Sequence, residues 1–184
     1  QRDQPESDQG GNTGGIWQTV ELIGRGPLQI VHDKIWCKIV ERDFVPDGSA
    51  LVTVDMEVDN TSGEVVTAEA GLRIAPETFD DDVKLERRRT VELQPGLNTF
   101  KLVLTIPQAR LWWTWDHGKP DLYRADLWIG RGGRVDDGKS ELFGVKEVRH
   151  DDATGQWTLN GRRIFLRGMR YYSSMYMSEI TTER

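Results

Sequence analysis

The side chains able to do chemistry fall into a few sets: the acidic runs Asp80-Asp81-Asp82 and Asp151-Asp152, the basic run Arg87-Arg88-Arg89, the histidines His32, His117 and His150, the single Cys37, and the tryptophans Trp112, Trp113 and Trp115. Neither acidic run has the ligand spacing of a calcium loop, so solvated turns are expected there. The arginine run lies in a strand-like stretch with Glu86 and Glu92 nearby, which suits charge pairing on an exposed face better than capture of an anionic glycan or phosphate. The histidines are far apart in sequence, without metal-ligand spacing and without a nucleophile to activate. Cys37 has no disulfide partner in the chain and no zinc-site spacing, and reads as a buried thiol on a strand. Asn60-Thr61-Ser62 matches a glycosylation acceptor, which matters only in a secretory compartment. No catalytic residue, metal site or cofactor is assigned.

The tryptophans carry more information. Three of the chain's seven fall within residues 111–115, beside the turn-forming His117-Gly118-Lys119-Pro120. Such a density of large rings is costly on an open surface. They can wedge between two packed bodies, each buried ring contributing at about 25 cal/mol per Å², or stack on the apolar faces of pyranoses. The wedge is the preferred reading.

The elements that must hold these rings alternate with a two-residue period. Val52, Val54, Met56 and Val58 face one way while Thr53, Asp55 and Glu57 face the other, as in a half-buried antiparallel strand. The pattern recurs at Val66, Ala68, Ala70, Leu72 and Ile74, at Phe100, Leu102, Leu104 and Ile106, and at Ile35, Cys37 and Ile39. Turn signals stand at Pro46-Asp47-Gly48, Asn60-Thr61-Ser62-Gly63, Pro95-Gly96 and Asp136-Asp137-Gly138. The fold class this predicts is all-β, an immunoglobulin-like antiparallel β-sandwich of about seven strands. Its core is expected to include Val54, Met56, Leu72, Leu102, Leu104 and Leu127.

A net charge of −6 and a pI near 5.2 argue against nucleic acid or an anionic membrane as partner, since both need a basic surface. No stretch approaches the roughly 20 apolar residues of a membrane span. Residues 1–15 lack the layout of a signal peptide, and localisation is left open.

Residues 109–128, ARLWWTWDHGKPDLYRADLW, are followed by Phe143-Gly144 and then by LNGRRIFLRGMRYY at 159–172. This order resembles glycoside hydrolase family 2, in which an immunoglobulin-like sandwich leads into a catalytic (β/α)8 barrel through an LWWP…G.P.LY segment, an FG step and an NG…RG hairpin. The resemblance implies that residues 1–27 are the end of a jelly-roll sugar-binding domain, with 14–26 as its final strand. Residues 28–149 are then the sandwich, and 150–184 the hairpin and first barrel strand, the latter at 164–169. It further implies a retaining O-glycoside hydrolase, whose two glutamates about 5 to 5.5 Å apart belong to later barrel strands beyond Arg184. Glu141 and Glu179 lack the family's Asn-Glu context and are not assigned.

On this resemblance Arg170 and Tyr172 are candidate substrate-binding residues, at the end of the first barrel strand where such active sites gather. Arg170 stands where galactosidase-like and mannosidase-like members both have Asn, and Tyr172 where the former have His, so no sugar specificity carries over. A two-point grip on a sugar carboxylate and a salt bridge inside the barrel remain equal readings of Arg170. A carbohydrate substrate would bind through the barrel. The apolar ends, with Ile16, Trp17, Val20 and Leu22 in one and Ile164, Phe165, Leu166 and Met169 in the other, are expected to fold back or to pair between copies, giving weak self-association. Two other function classes stay open: a carbohydrate-binding module using exposed tryptophans, and an immunoglobulin-like adhesion or scaffold domain.

Overall fold

In a computed structural model the description covers residues 20, 22, 24–42 and 45–168, with the side chains of 42–47 excepted. Residues 25–165 form one compact unit. Its strands are β1 (Leu28–Arg42), β2 (Val45–Asn60), β3 (Val66–Pro76), β4 (Leu85–Leu93), β5 (Gly96–Ile106), β6 (Tyr123–Arg131), β7 (Arg134–Phe143), β8 (Val148–Asp151), β9 (Gln156–Leu159) and β10 (Arg162–Ile164). The first seven make two antiparallel sheets, in the orders β1-β2-β5 and β4-β3-β6-β7. This is the immunoglobulin-like sandwich that the alternation predicts. In the constant-type arrangement the fourth strand pairs with the fifth; here β4 pairs with β3 instead.

Alternation explains why the sheets face each other. Val52, Val54, Met56 and Val58 are fully buried, and their register against β5 sets Val52 opposite Leu104 and Val54 opposite Leu102. All six of the expected core residues are buried. The open seams of the sandwich are tied by polar groups. On one side the Asp137 carboxylate accepts the Ile30 N–H at 2.8 Å and Lys139 reaches Asp33 at 2.6 Å. On the other, Arg89 of edge strand β4 donates to the Lys101 carbonyl of edge strand β5 at 3.0 Å. Both ties occupy sheet edges that would otherwise template pairing.

Two expected turns are corrected. Pro46-Asp47-Gly48 lies inside β2. Asp136-Asp137-Gly138 lies inside β7, because the preceding Gly132-Gly133 supplies the two successive positive φ values, 56° and 79°, that a two-residue hairpin loop needs. The turn after Asn60 forms as expected, but Asn60 itself is buried. Its amide donates to the carbonyls of Glu64 and Leu93, which leaves no accessible glycosylation acceptor.

β8, β9 and β10 form a small meander. Asn160 and Gly161, at φ 50° and 79°, make the hairpin turn predicted from the sequence. The expected strand at 164–169 ends at Ile164. Residues 165–168 are not in a strand, since no described strand offers them the ladder that a parallel barrel strand requires. Val20, Leu22, Phe165 and Leu166 are exposed, and the described residues between 20 and 26 form no strand.

Candidate functional site

The segment 107–122 joins β5 of one sheet to β6 of the other and carries the tryptophans. Main-chain bonds fix its path. The Ala109 N–H donates to the Gly48 carbonyl at 2.7 Å, the Trp112 N–H to Val145 at 2.8 Å and the Trp113 N–H to Lys119 at 3.0 Å. Leu111 forms a parallel bridge with Val145. The Arg110 N–H is taken by the hydroxyl oxygen of Tyr123 at 2.8 Å. Tyr123 opens β6, and a tyrosine at the start of this strand bonding back to an upstream backbone group is the corner device of immunoglobulin sandwiches. Its ring is buried between Phe79, 4.9 Å away edge-on, and Phe143, 5.7 Å away and stacked. Burial pushes the hydroxyl pKa up, and the Arg110 bond opposes this only in part.

The three tryptophans divide by partner. Trp112 lies against Gly144, where any Cβ would overlap its side chain, and the Lys146 ammonium sits 4.3 Å from its ring centre. Trp113 stacks on His117 at 6.4 Å and 14°, and the Arg162 guanidinium from β10 lies 4.7 Å from its ring centre. Both are half-buried within the unit. Trp115 is 87% exposed. The neighbouring Asp116 carboxyl is held below its usual range, first by the Thr114 hydroxyl and then by His117.

Asn160 closes the junction. Its side-chain amide donates to the Trp112 carbonyl at 2.9 Å, while its Oδ1 accepts the Glu147 N–H at 2.8 Å. The Asn160 N–H donates in turn to the Glu147 carbonyl, also at 2.8 Å. One side chain therefore ties the aromatic linker, the strand exit after Gly144 and the meander together. The Asn-Gly pair signals the turn; nothing in its sequence context signals this second use of the side chain. Tyr123 was likewise visible only as part of the LY step.

The remaining candidate residues are placed as follows. Arg88 pairs with Glu86 at 2.6 Å and Glu69 at 3.1 Å, so charge pairing on an exposed face holds for it. Asp81 accepts the Val83 N–H in an irregular stretch, and Asp151, at the end of β8, accepts Ala153 and Thr154 of the turn that follows. Cys37 is half-buried on β1, and desolvation raises its thiol pKa to about 11, with Lys146 acting in the opposite sense. Arg170 and Tyr172 lie outside the described residues.

The sequence model described as "Glycosyl hydrolases family 2" matches residues 38–146. An exo-β-D-glucosaminidase of Streptomyces avermitilis is 31% identical over 153 residues, covering 80% of this chain and 16% of that protein. Among solved structures, a β-D-mannosidase of Dictyoglomus thermophilum matches with a TM-score of 0.71 at 21% identity, covering 92% of this chain and 20% of the other. An exo-chitosanase of Amycolatopsis orientalis matches with a TM-score of 0.66 at 22% identity, covering 83% and 17%. At these identities the structural likeness speaks for the fold. The chain spans about a sixth of the length of the glucosaminidase.

Proposed function

The chain belongs to family 2 of the glycosyl hydrolases, and from that membership we propose that it is the non-catalytic sandwich of a retaining O-glycoside hydrolase, serving to position the catalytic barrel. In this reading residues 1–27 continue a jelly-roll domain and 150–184 open the barrel, with Arg170 and Tyr172 reaching the substrate in the complete enzyme. The observation that carries it is the Asn160 tie, which fastens the aromatic linker to the meander from which the chain proceeds. A domain that aims another needs a stiff exit, because misplacing reacting groups by about 1 Å costs catalysis on the order of 100-fold.

The chemistry itself belongs to a glutamate pair outside these residues. The 184-residue chain is expected to give no turnover of a panel of aryl β-glycosides above buffer. Turnover abolished by a single Glu or Asp substitution within it overturns the proposal. A second reading, glycan binding by the sandwich, draws on the exposure of Trp115. Titration with neutral oligosaccharides tests it, with quenching of Trp115 fluorescence as the supporting result.

A further inference from the structure

The outer face of the four-stranded sheet carries a groove of about 760 Å³, a volume typical of small-ligand sites. It is lined by β3, β4, β6, β7 and the hairpin between the last two, and by none of the junction's tryptophans. One row of the sheet reads Arg88, Gly71, Trp128, Gly138 across β4, β3, β6 and β7. The two glycines flanking Trp128 shape it. Trp128 lies over Gly71, where a Cβ would overlap the ring, and the guanidinium groups of Arg73 and Arg88 stand 5.8 and 5.7 Å from the ring centre. On the other side Gly138 carries no side chain, and Arg134 and Val135 of the same strand line the groove with it.

We propose that this groove binds a carboxylate-bearing oligosaccharide, one sugar ring lying beside Trp128 over Gly138 and its carboxylate meeting Arg134. Three features set the ligand class. An indole wall beside a glycine without a side chain suits the apolar face of a pyranose, as aromatic rings do for other flat apolar groups. The Asp126 carboxylate takes the Ser140 hydroxyl on Oδ1 at 2.7 Å and pairs through the same oxygen with Arg124 at 3.5 Å, and a carboxylate has acceptor capacity beyond these two contacts. It can receive sugar hydroxyls, donors that an ionised polyphosphate lacks. Arg134 is exposed, and among the described residues no carboxylate pairs with it; a planar guanidinium matches a carboxylate in two-point geometry. This site is separate from the domain-positioning role and stands or falls without it.

The test is calorimetric and NMR titration of the 184-residue chain with tetragalacturonate and, as the neutral counterpart, cellotetraose. Tetragalacturonate is expected to bind saturably, shifting the Trp128 indole N–H, and cellotetraose to bind at least 10-fold more weakly. Arg134→Gln should bring the acidic ligand down to the neutral one. Gly138→Val should abolish binding of both; φ at 138 is not positive, and an added Cβ would stand 3.3 Å from the Leu127 carbonyl oxygen and 4.0 Å from Val135 and Trp128, so it fills the groove provided the strand gives by a few tenths of an ångström. An unchanged near-ultraviolet circular dichroism spectrum checks that it folds. No saturable binding of tetragalacturonate, equal binding of the two ligands, or binding that survives Gly138→Val overturns the proposal.

Discussion

The side-chain amide of Asn160 lies 2.9 Å from the Trp112 carbonyl, across 48 positions of chain, while the same side chain accepts the Glu147 N–H. Asn160→Gly keeps the positive φ of the turn and deletes both bonds. It is expected to cost about 1 to 3 kcal/mol, the penalty of leaving partly buried groups unpaired. Asn160→Asp keeps the acceptor for Glu147 but sets a carboxylate against the Trp112 carbonyl, and should cost more. Denaturant midpoints rank the variants, and amide exchange at Glu147 should quicken in the glycine variant. Unchanged exchange there means the tie is not a strong one.

Tyr123→Phe isolates the corner bond. Ring packing against Phe79 and Phe143 survives, while the Arg110 N–H loses its acceptor. A loss of about 1 to 3 kcal/mol is expected, read as a lower midpoint at constant m-value. A change in m would show instead that the linker comes loose in the native state.

Gly71→Ala places a methyl into the ring of Trp128. The ring must leave its seat or the strands must part, at a cost of about 1 to 3 kcal/mol for overpacking. Combining it with Trp128→Leu should recover part of the loss, because the clash and the ring vanish together. Additive losses in the double variant mean the two residues do not contend for one space.

Most of the sandwich was legible because its core obeys a period of two, and burial follows that period from Val52 to Val58 and from Leu102 to Ile106. Boundaries were less legible where glycine and aspartate serve inside strands. Gly138 leaves β7 open beside Trp128, and Asp136 and Asp137 bond to groups upstream, the first to Arg131 and the second to Ile30, so a turn-like composition sits inside a strand that takes only a β-bulge at Asp136. The tryptophan cluster was found, but its division was not. Whether a ring is covered depends on Lys146, Gly144 and Arg162, which reach it only after the sheets and the meander have formed.

Burial of Cys37 makes stability depend on alkaline pH. The folded thiol has a pKa of about 11 against an ordinary 9.0, so the native state holds its proton where the unfolded chain releases it. The associated stability is fully present below about pH 9 and is lost as pH rises through about 11. Cys37→Ala should flatten this loss relative to the parent chain, and the difference separates Cys37 from Tyr123, which weakens the fold in the same direction above about pH 10. At pH 8 the thiol should react with a disulfide reagent on the order of 100-fold more slowly than a free cysteine. Reaction at the free rate is incompatible with this environment.

Two trimmed chains separate the roles of the ends. The exposed Val20, Leu22 and Leu166 lie outside the unit formed by residues 25–165, and Phe165 is exposed at its margin. Apolar side chains of this kind promote weak self-association, so light scattering over a concentration series should show the 184-residue chain associating and a chain of residues 25–165 doing so less. A chain of residues 25–149 removes more while keeping the bonds that Gly26 and Pro27 make to the sandwich: it deletes Asn160, and with it the bonds to Trp112 and Glu147, and it deletes Arg162 from the face of Trp113. Although it contains every strand of the sandwich, it should be less stable than the 25–165 chain by about 2 to 4 kcal/mol, the sum of the three Asn160 hydrogen bonds and one partly desolvated cation–π contact. Its Trp112 and Trp113 should become accessible to iodide quenching. If the two trimmed chains are equally stable, the meander only follows the sandwich and does not brace it, and the case for a stiff exit fails with it.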